Sequence, residues 1–253
     1  MMSKLNYINV NYKKNYAIVN LKIENDCWTE ELLFEIKNIC QIIQDNKKCL
    51  AVLFMSDSNN SGSGWSQSLS SMSDAVTIIN ETIIAVEELT IPSFFLIQGK
   101  ANLPAMEMAL ACDIRFSLED IKISLIDQES NLQPSDFIIE KLAKFSHRSF
   151  ALDLLLFQKS LNAIDAKKSG LISEIYNSKN VLSELEAVLE KITNYGSVAL
   201  RVIKESMLLG GKIDLSAGFN IEHERTLQLQ ETQDFQEGVN AFLEKRSPKF
   251  QGK

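Results

Sequence analysis

Histidine is scarce: His147 and His223 are the only two in 253 residues. Neither lies in a recognisable partner motif. The stretch Gly62-Ser63-Gly64 also lacks the glycine that a G-x-S-x-G nucleophile elbow would need at Ser61. A serine hydrolase of the triad type is therefore not expected. Positive charge is in deficit as well, with 26 Lys and Arg against 33 Asp and Glu and a net charge of −7. That argues against nucleic acid as the main partner, because such binding needs basic side chains to neutralise phosphates. It leaves room for a local basic patch facing a nucleotide-bearing ligand. The four cysteines, Cys27, Cys40, Cys49 and Cys112, show no paired metal-ligand spacing, so no metal is expected. Cys40, Cys49 and Cys112 lie in or beside apolar runs and read as buried thiols, with no sign of a disulfide. No apolar run approaches the roughly 20 residues of a membrane span. The opening stretch MMSKLNYINVNYKKNY has no apolar signal core. A reduced, cytoplasmic protein without a membrane span is expected.

What is present is ordinary for a soluble globular chain, with 45% hydrophobic and 23% charged residues. The length suits one large domain, or a domain with a small appendage, and is ample for a core. Leu5–Val10 and Tyr16–Ile23 alternate roughly and predict a hairpin across Lys13-Lys14-Asn15. Thr29 suits a helix N-cap, followed by the acids Glu30 and Glu31 and by apolar residues at helical spacing to about Asn46. Leu50–Met55 predicts a buried strand, and Ala75–Glu88 a helix. This order of elements suits an α/β or α+β layered architecture. Ser56–Asp74 holds nine serines and reads first as a flexible polar loop. Ile121–Ile126 predicts another strand. Leu182–Ile192 and Ala199–Leu208 predict helices, Gly210-Gly211 a break, and Glu222–Leu243 a long amphipathic helix. His223, between Glu222 and Glu224, reads as solvated.

The chain is organised around Ile97–Phe116, IQGKANLPAMEMALACDIRF. Ser93–Ile97 predicts a buried strand that Gly99 ends. Pro104 sits where a helix would begin, since its missing N–H would be unpaired there anyway. Asp113 leads into a second strand, Ile114–Phe116. One acid, Glu107, stands in the first turn of the otherwise apolar helix. It reads either as a solvated acid stabilised by the helix start or as a catalytic acid or base whose pKa an apolar pocket raises.

This stretch resembles the crotonase superfamily, the enoyl-CoA hydratases and isomerases, with their pattern G-x-A-x-G-G-G-x-E-L-A-L-A-C-D. The matching residues are Gly99, Ala101, Glu107, Ala109, Leu110, Ala111, Cys112 and Asp113, and the glycine triplet is replaced by Leu103-Pro104-Ala105. Ala151, Asp153, Leu154–Leu156, Ala163, Ala166, Gly170 and Leu171 follow the family pattern further on, as does the ending EGVNAFLEKRSPKF.

The resemblance implies an α/β fold: a crotonase-like spiral of ββα units over residues 1–195, with a C-terminal helical oligomerisation region over 196–253. It implies a homotrimer or a hexamer of stacked trimers. The ligand it implies is an acyl-CoA or acyl-carrier thioester, with no cofactor beyond the CoA of the substrate. Glu107 and Asp127, twenty residues apart, take the places of the two catalytic carboxylates. The backbone N–H of Trp65 takes the place of one oxyanion-hole donor. The other falls on Pro104, which has no N–H, so that donor is lost and Ala105 is a possible substitute. Ser63, Gly64 and Lys100 lie beside the implied site. Glycine numbers only 10 in the chain, in keeping with refilled positions where backbone would approach a ligand. Two functions follow: an enoyl-CoA hydratase/isomerase-like enzyme acting through enolate stabilisation, or a catalytically degenerate crotonase-fold protein with a binding or structural role. A thioester hydrolase or decarboxylase of the same superfamily is a third.

Overall fold

A computed structural model of the chain describes residues 5–126, 134–210 and 214–253. In chain order, β1 (Ile8–Tyr12), β2 (Tyr16–Leu21), β3 (Cys27–Trp28), α1 (Glu30–Asp45), β4 (Ala51–Ser56) and β5 (Gly64–Trp65) come first. Next are α2 (Gln67–Ser70), α3 (Ala75–Glu87), β6 (Ser93–Ile97), β7 (Lys100–Ala101), α4 (Leu103–Ala111), β8 (Ile114–Leu118) and β9 (Lys122–Ile123). Then follow α5 (Asp136–Phe145), α6 (Arg148–Leu156), α7 (Ala163–Lys168), β10 (Glu174–Tyr176), α8 (Val181–Thr193), α9 (Ser197–Gly210), α10 (Leu215–Gln230) and α11 (Gln233–Leu243).

The main sheet has the order β1-β2-β4-β6-β8-β10. The β1–β2 hairpin is antiparallel and the remaining pairs are parallel. Each of β2, β4, β6 and β8 is followed by a two-residue strand, and these pair off the main sheet as β3–β5 and β7–β9. Helices come next in each unit, so the chain repeats strand, short strand, helix. This is the α/β spiral expected from the sequence.

The strands read as nearly continuous apolar runs because both faces of the sheet are covered. Val52 and Phe54 of β4 join the large core beneath α1, α3 and α4. Their alternates Ala51 and Leu53 pack with Phe94, Leu96 and Phe116 against Leu185 and Leu189 of α8. Helix α1 starts where Thr29 accepts the Leu32 N–H at 3.3 Å, and it buries Leu32, Ile36, Ile39 and Ile43 on one face. Its Glu35 carboxylate accepts the N–H groups of Asn6 and Tyr7 at 2.8 Å each, which holds the approach to β1. Lys204 of α9 is buried against the sheet, 2.8 Å from the Asp113 carboxylate and 3.0 Å from the Ile91 carbonyl.

Several expectations are corrected. The first strand begins at Ile8 rather than Leu5, where pairing with Leu21 starts. The segment Ile121–Ile126 forms only the two-residue β9. Past Ile123 the Ser124 N–H bonds to Ala101, and its hydroxyl accepts the Ile126 N–H at 3.4 Å, which turns the chain. The long helix Glu222–Leu243 is two helices. Thr232 ends α10 and caps α11, its hydroxyl donating to the Leu229 carbonyl at 2.7 Å and accepting the Phe235 N–H at 3.1 Å. The serine-rich segment Ser56–Asp74 contains β5 and α2 and is tied into the fold rather than loose.

Candidate functional site

Helix α4 is apolar on every side and every residue of it is buried, as expected of a helix enclosed by a core. Glu107 is its one acid and is 2% exposed. The helix begins at Leu103, one residue before Pro104, so Glu107 lies beyond the first turn and its head is not in solvent. The solvated reading is thereby corrected. Its Oε1 accepts the Ser135 N–H at 3.0 Å, while Oε2 has no hydrogen-bond partner among the described residues. Burial pushes the carboxyl up to about 7, against the smaller opposing effect of the Ser135 hydrogen bonds. A carboxyl in this state can hold or release a proton near neutrality.

The loop beside it is built from its own polar side chains. Ser61 is 1% exposed: its hydroxyl accepts the Gln98 N–H at 2.8 Å, and its N–H reaches the Gln98 and Lys100 carbonyls. Its carbonyl accepts from the Trp28 indole at 2.9 Å. Asn25 and Asp26 are left-handed, with φ of 52° and 58°, which these residue types tolerate. That turn aims the Asp26 carboxylate at the Asn60 amide, 3.2 Å away. Ser63 donates its N–H to the Asp26 carbonyl at 2.6 Å, and its hydroxyl lies 3.5 Å from the Asp26 carboxylate. Ser66 caps α2 through the Leu69 N–H at 3.3 Å.

The same loop is stitched to the start of α4. The Asn102 N–H reaches the Gly62 carbonyl at 3.0 Å, and its side-chain amide reaches the Ser63 carbonyl at 2.7 Å. Gly64 and Trp65, both buried, therefore sit against the helix that carries Pro104, Ala105 and Glu107. The Trp65 ring packs edge-on to Trp28, centroids 6.5 Å apart. Two glycines make this close approach possible. Gly62 has φ +109°, and a Cβ there would lie 2.3 Å from the Trp28 indole nitrogen. Gly99 has φ +49°, and its Cβ would lie 2.3 Å from the Asn59 carbonyl oxygen.

Pro104 is second in the helix and has no N–H to give. The first i→i−4 bond at this end runs from Met106 to Asn102 at 3.0 Å. Ala105 is one residue ahead of it, among the donors that helix geometry leaves over. Lys100 is exposed, and its N–H is held by Asn60 at 3.0 Å. Asp127 lies outside the described residues. His147 and His223 are exposed. Among the described residues no group of three His, Cys, Asp or Glu could hold a metal ion, and no helix is long and apolar enough to cross a membrane. Cys40, Cys49 and Cys112 are buried thiols as expected.

Sequence reasoning missed Asp26 and Ser135. Ser135 also caps α5 through the Ile138 N–H at 3.3 Å, and a serine two residues ahead of an apolar run was a readable cap signal. Asp26 carried no comparable signal, because its role depends on a turn bringing it 34 residues back onto Asn60.

One buried carboxyl thus lies beside two backbone segments clamped together. The family model described as enoyl-CoA hydratase/isomerase matches residues 14–253, and the chain belongs to that family. The mitochondrial methylglutaconyl-CoA hydratase of Mus musculus is 31% identical over 184 residues, 70% of this chain and 58% of that protein. The probable mitochondrial enoyl-CoA hydratase 2 of Arabidopsis thaliana is 28% identical over 167 residues, 66% of this chain and 56% of that protein. The matched part thus spans a little over half the length of these relatives. The 1.8 Å crystal structure of an enoyl-CoA hydratase from Bacillus anthracis superposes with a TM-score of 0.92 at 26% identity, covering 98% of this chain and 100% of that one.

Proposed function

We propose that the protein acts on an acyl-CoA or acyl-carrier thioester as an enoyl-CoA hydratase/isomerase-like enzyme. Glu107 is the acid and base. The observation that carries this reading is its carboxyl, enclosed in the core yet with one oxygen unpartnered among the described residues. Such a group is costly to bury, and its bonding to Ser135 is all it gives the fold among the described residues. In this reading Glu107 moves a proton to or from the carbon chain or an attacking water. The thioester oxygen, as it gains charge, takes hydrogen bonds from backbone N–H groups. The Trp65 N–H is one of them, and the Ala105 N–H replaces the donor that Pro104 lacks. Asp127 is assigned as the second carboxylate, and Ser63, Gly64 and Lys100 border the ligand. No cofactor is invoked beyond the CoA of the substrate, and the setting is cytoplasmic.

Hydration of crotonyl-CoA, followed by loss of enoyl-thioester absorbance in wild type and Glu107→Gln, tests this. Turnover that disappears in the variant is expected. Turnover equal in the two removes Glu107 from the chemistry.

The second reading, a degenerate crotonase fold kept for binding or assembly, is favoured by Pro104. Losing one hole donor typically costs about 10²–10³ in rate. Tight CoA binding without turnover of any enoyl-thioester would select it, or a hydrolase or decarboxylase reaction at the same site. In either case residues 196–253 form the assembly region of a homotrimer or a pair of trimers. Support comes from the apolar side chains it leaves in solvent, among them Phe242 at 82% and Met207 at 77% exposure. Sedimentation of the intact protein measures this, and a monomer would overturn it.

A further inference from the structure

The main sheet has two ends, and the Glu107 site occupies only one. The parallel strands point their C-terminal ends at the loops carrying Gly64, Trp65 and Glu107. At their N-terminal ends, just before Ala51 and Ser93, lies a cleft of about 1220 Å³. Its walls come from the β1–β2 turn, the α1–β4 loop, the segment Thr90–Pro92, the start of α9 and the tail Pro248–Lys253.

Its charge is one-sided. Lys14, Lys47, Lys48, Arg201, Lys249 and Lys253 line it, and no Asp or Glu does. All six are exposed, and none has an ion-pair partner among the described residues. Some cations elsewhere on the surface pair with acids, as Lys13 does with Glu186 at 2.9 Å and Lys37 with Glu81 at 2.6 Å; what sets these six apart is that they face one concavity. The acids nearest the tail are already engaged. The Asp234 carboxylate accepts the N–H groups of Gln251 and Gly252 at 2.6 and 2.8 Å. Glu237 accepts the Lys249 N–H at 2.7 Å and is bridged by Arg246. These bonds hold the tail in place as a wall; Glu237 acts on the Lys249 charge as well, while Lys253 has no ion-pair partner among the described residues.

A chain of net charge −7 has thus gathered six cations in one concave surface, none of them in a salt bridge among the described residues. Like charges in a cleft repel one another, and low-dielectric walls focus their field outward. Folding gains nothing from that. A polyanion would. Two aromatic rings, Tyr195 at 50% exposure and Phe250, share the lining and offer a face for a planar ring.

We propose that this cleft binds a polyphosphorylated small molecule of the nucleotide class, its phosphates held by the six cations and its base laid against Tyr195 and Phe250. The site is separate from Glu107 and does not rest on the acyl-thioester reading; it needs Arg201 and the tail to stay open within the 196–253 region, and the apolar side chains that support assembly, Met207 and Phe242, do not line it.

Calorimetric titration of the full-length protein with ATP and with inorganic triphosphate tests it. Wild type is compared with the pair Lys48→Glu, Arg201→Glu and with the milder pair Lys48→Gln, Arg201→Gln, which guards against misfolding. ATP should bind wild type, and more tightly than triphosphate. Binding should weaken as salt rises from about 50 to 300 mM, over which the Debye length shortens more than twofold. The charge-reversed pair should lose at least about tenfold in affinity, and the neutral pair less, as expected when fixed charges facing an anion are removed or inverted. No ATP binding at millimolar concentration, or binding unchanged in both variants, overturns the site. Triphosphate binding as tight as ATP overturns the ring contact and the nucleotide class with it. Binding abolished by CoA but indifferent to both variants belongs to the opposite end of the sheet and overturns the proposal while leaving the Glu107 reading intact.

Discussion

Replacing Glu107 with glutamine should shift the balance of stability toward the variant as pH rises, while removing its turnover. Burial moves this carboxyl from 4.5 to about 7. Between those two values the folded state holds a proton that the unfolded state has released. Stability therefore falls as pH rises through this window and is level above it. The shift corresponds to about 3 kcal/mol across the whole window, and to about 2–3 kcal/mol between pH 5 and pH 8. Glutamine is neutral at both, so it escapes that loss. Its amide must still fit where Oε2 has no partner among the described residues, but this cost is the same at either pH. The difference in melting temperature between variant and wild type is thus the clean quantity. For a chain of this size it should grow by roughly 5–10 °C in favour of the variant on going from pH 5 to pH 8. Scanning calorimetry in two buffers measures it. In the enoyl-thioester assay, wild-type kcat/KM should show a limb with an apparent pKa near 7. A melting difference that is the same at both pH values would refute the argument from burial.

Pro104→Gly restores an N–H at the helix start. If the missing donor limits the rate, turnover should rise by up to about 10²–10³ in the crotonyl-CoA assay, and an unchanged rate would mean that Ala105 already supplies it. Gly62→Ala forces a Cβ to 2.3 Å from the Trp28 indole at φ +109°. It should cost about 2–4 kcal/mol in urea unfolding and displace the Gly64–Trp65 segment; a loss below about 0.5 kcal/mol would contradict the close packing described. Lys204→Met leaves the Asp113 carboxylate without its cation 2.8 Å away. Because Asp113 keeps 26% side-chain exposure, the expected loss is at the low end for a broken buried pair, about 2–3 kcal/mol, read by the same unfolding curve.

The strands and most helices were legible because their signals are local. Ser93–Ile97 is a strand over the range that its apolar run indicates, and Thr29 caps α1 as its neighbours suggest. Where the serine-rich segment was misread, the deciding partners were distant in sequence. The serine-rich segment looks solvated residue by residue. It is ordered because Ser61 faces Gln98, Asn60 faces Asp26, and Asn102 closes over Ser63. No composition argument contains those pairings. The break at Thr232 was readable, since threonine followed by Asp234 is a cap signal, but the apolar spacing on either side runs through it and masked it.

Glu107 shows why a family pattern and a physical reading are both needed. The pattern picks out this acid among 33 Asp and Glu, but it cannot say whether the acid still works. Burial answers part of that question. A leucine or methionine inside this apolar helix would pack without the cost of ionisation, giving up only the bonding to Ser135. Pro104 is a different kind of change. Loss of its N–H touches one donor and leaves the helix start intact, because that position has no i→i−4 partner in any case. A costly buried carboxyl at Glu107 beside an inexpensive proline at Pro104 is the combination that the proposed enzymatic function predicts, and crotonyl-CoA turnover by Glu107→Gln and Pro104→Gly decides it.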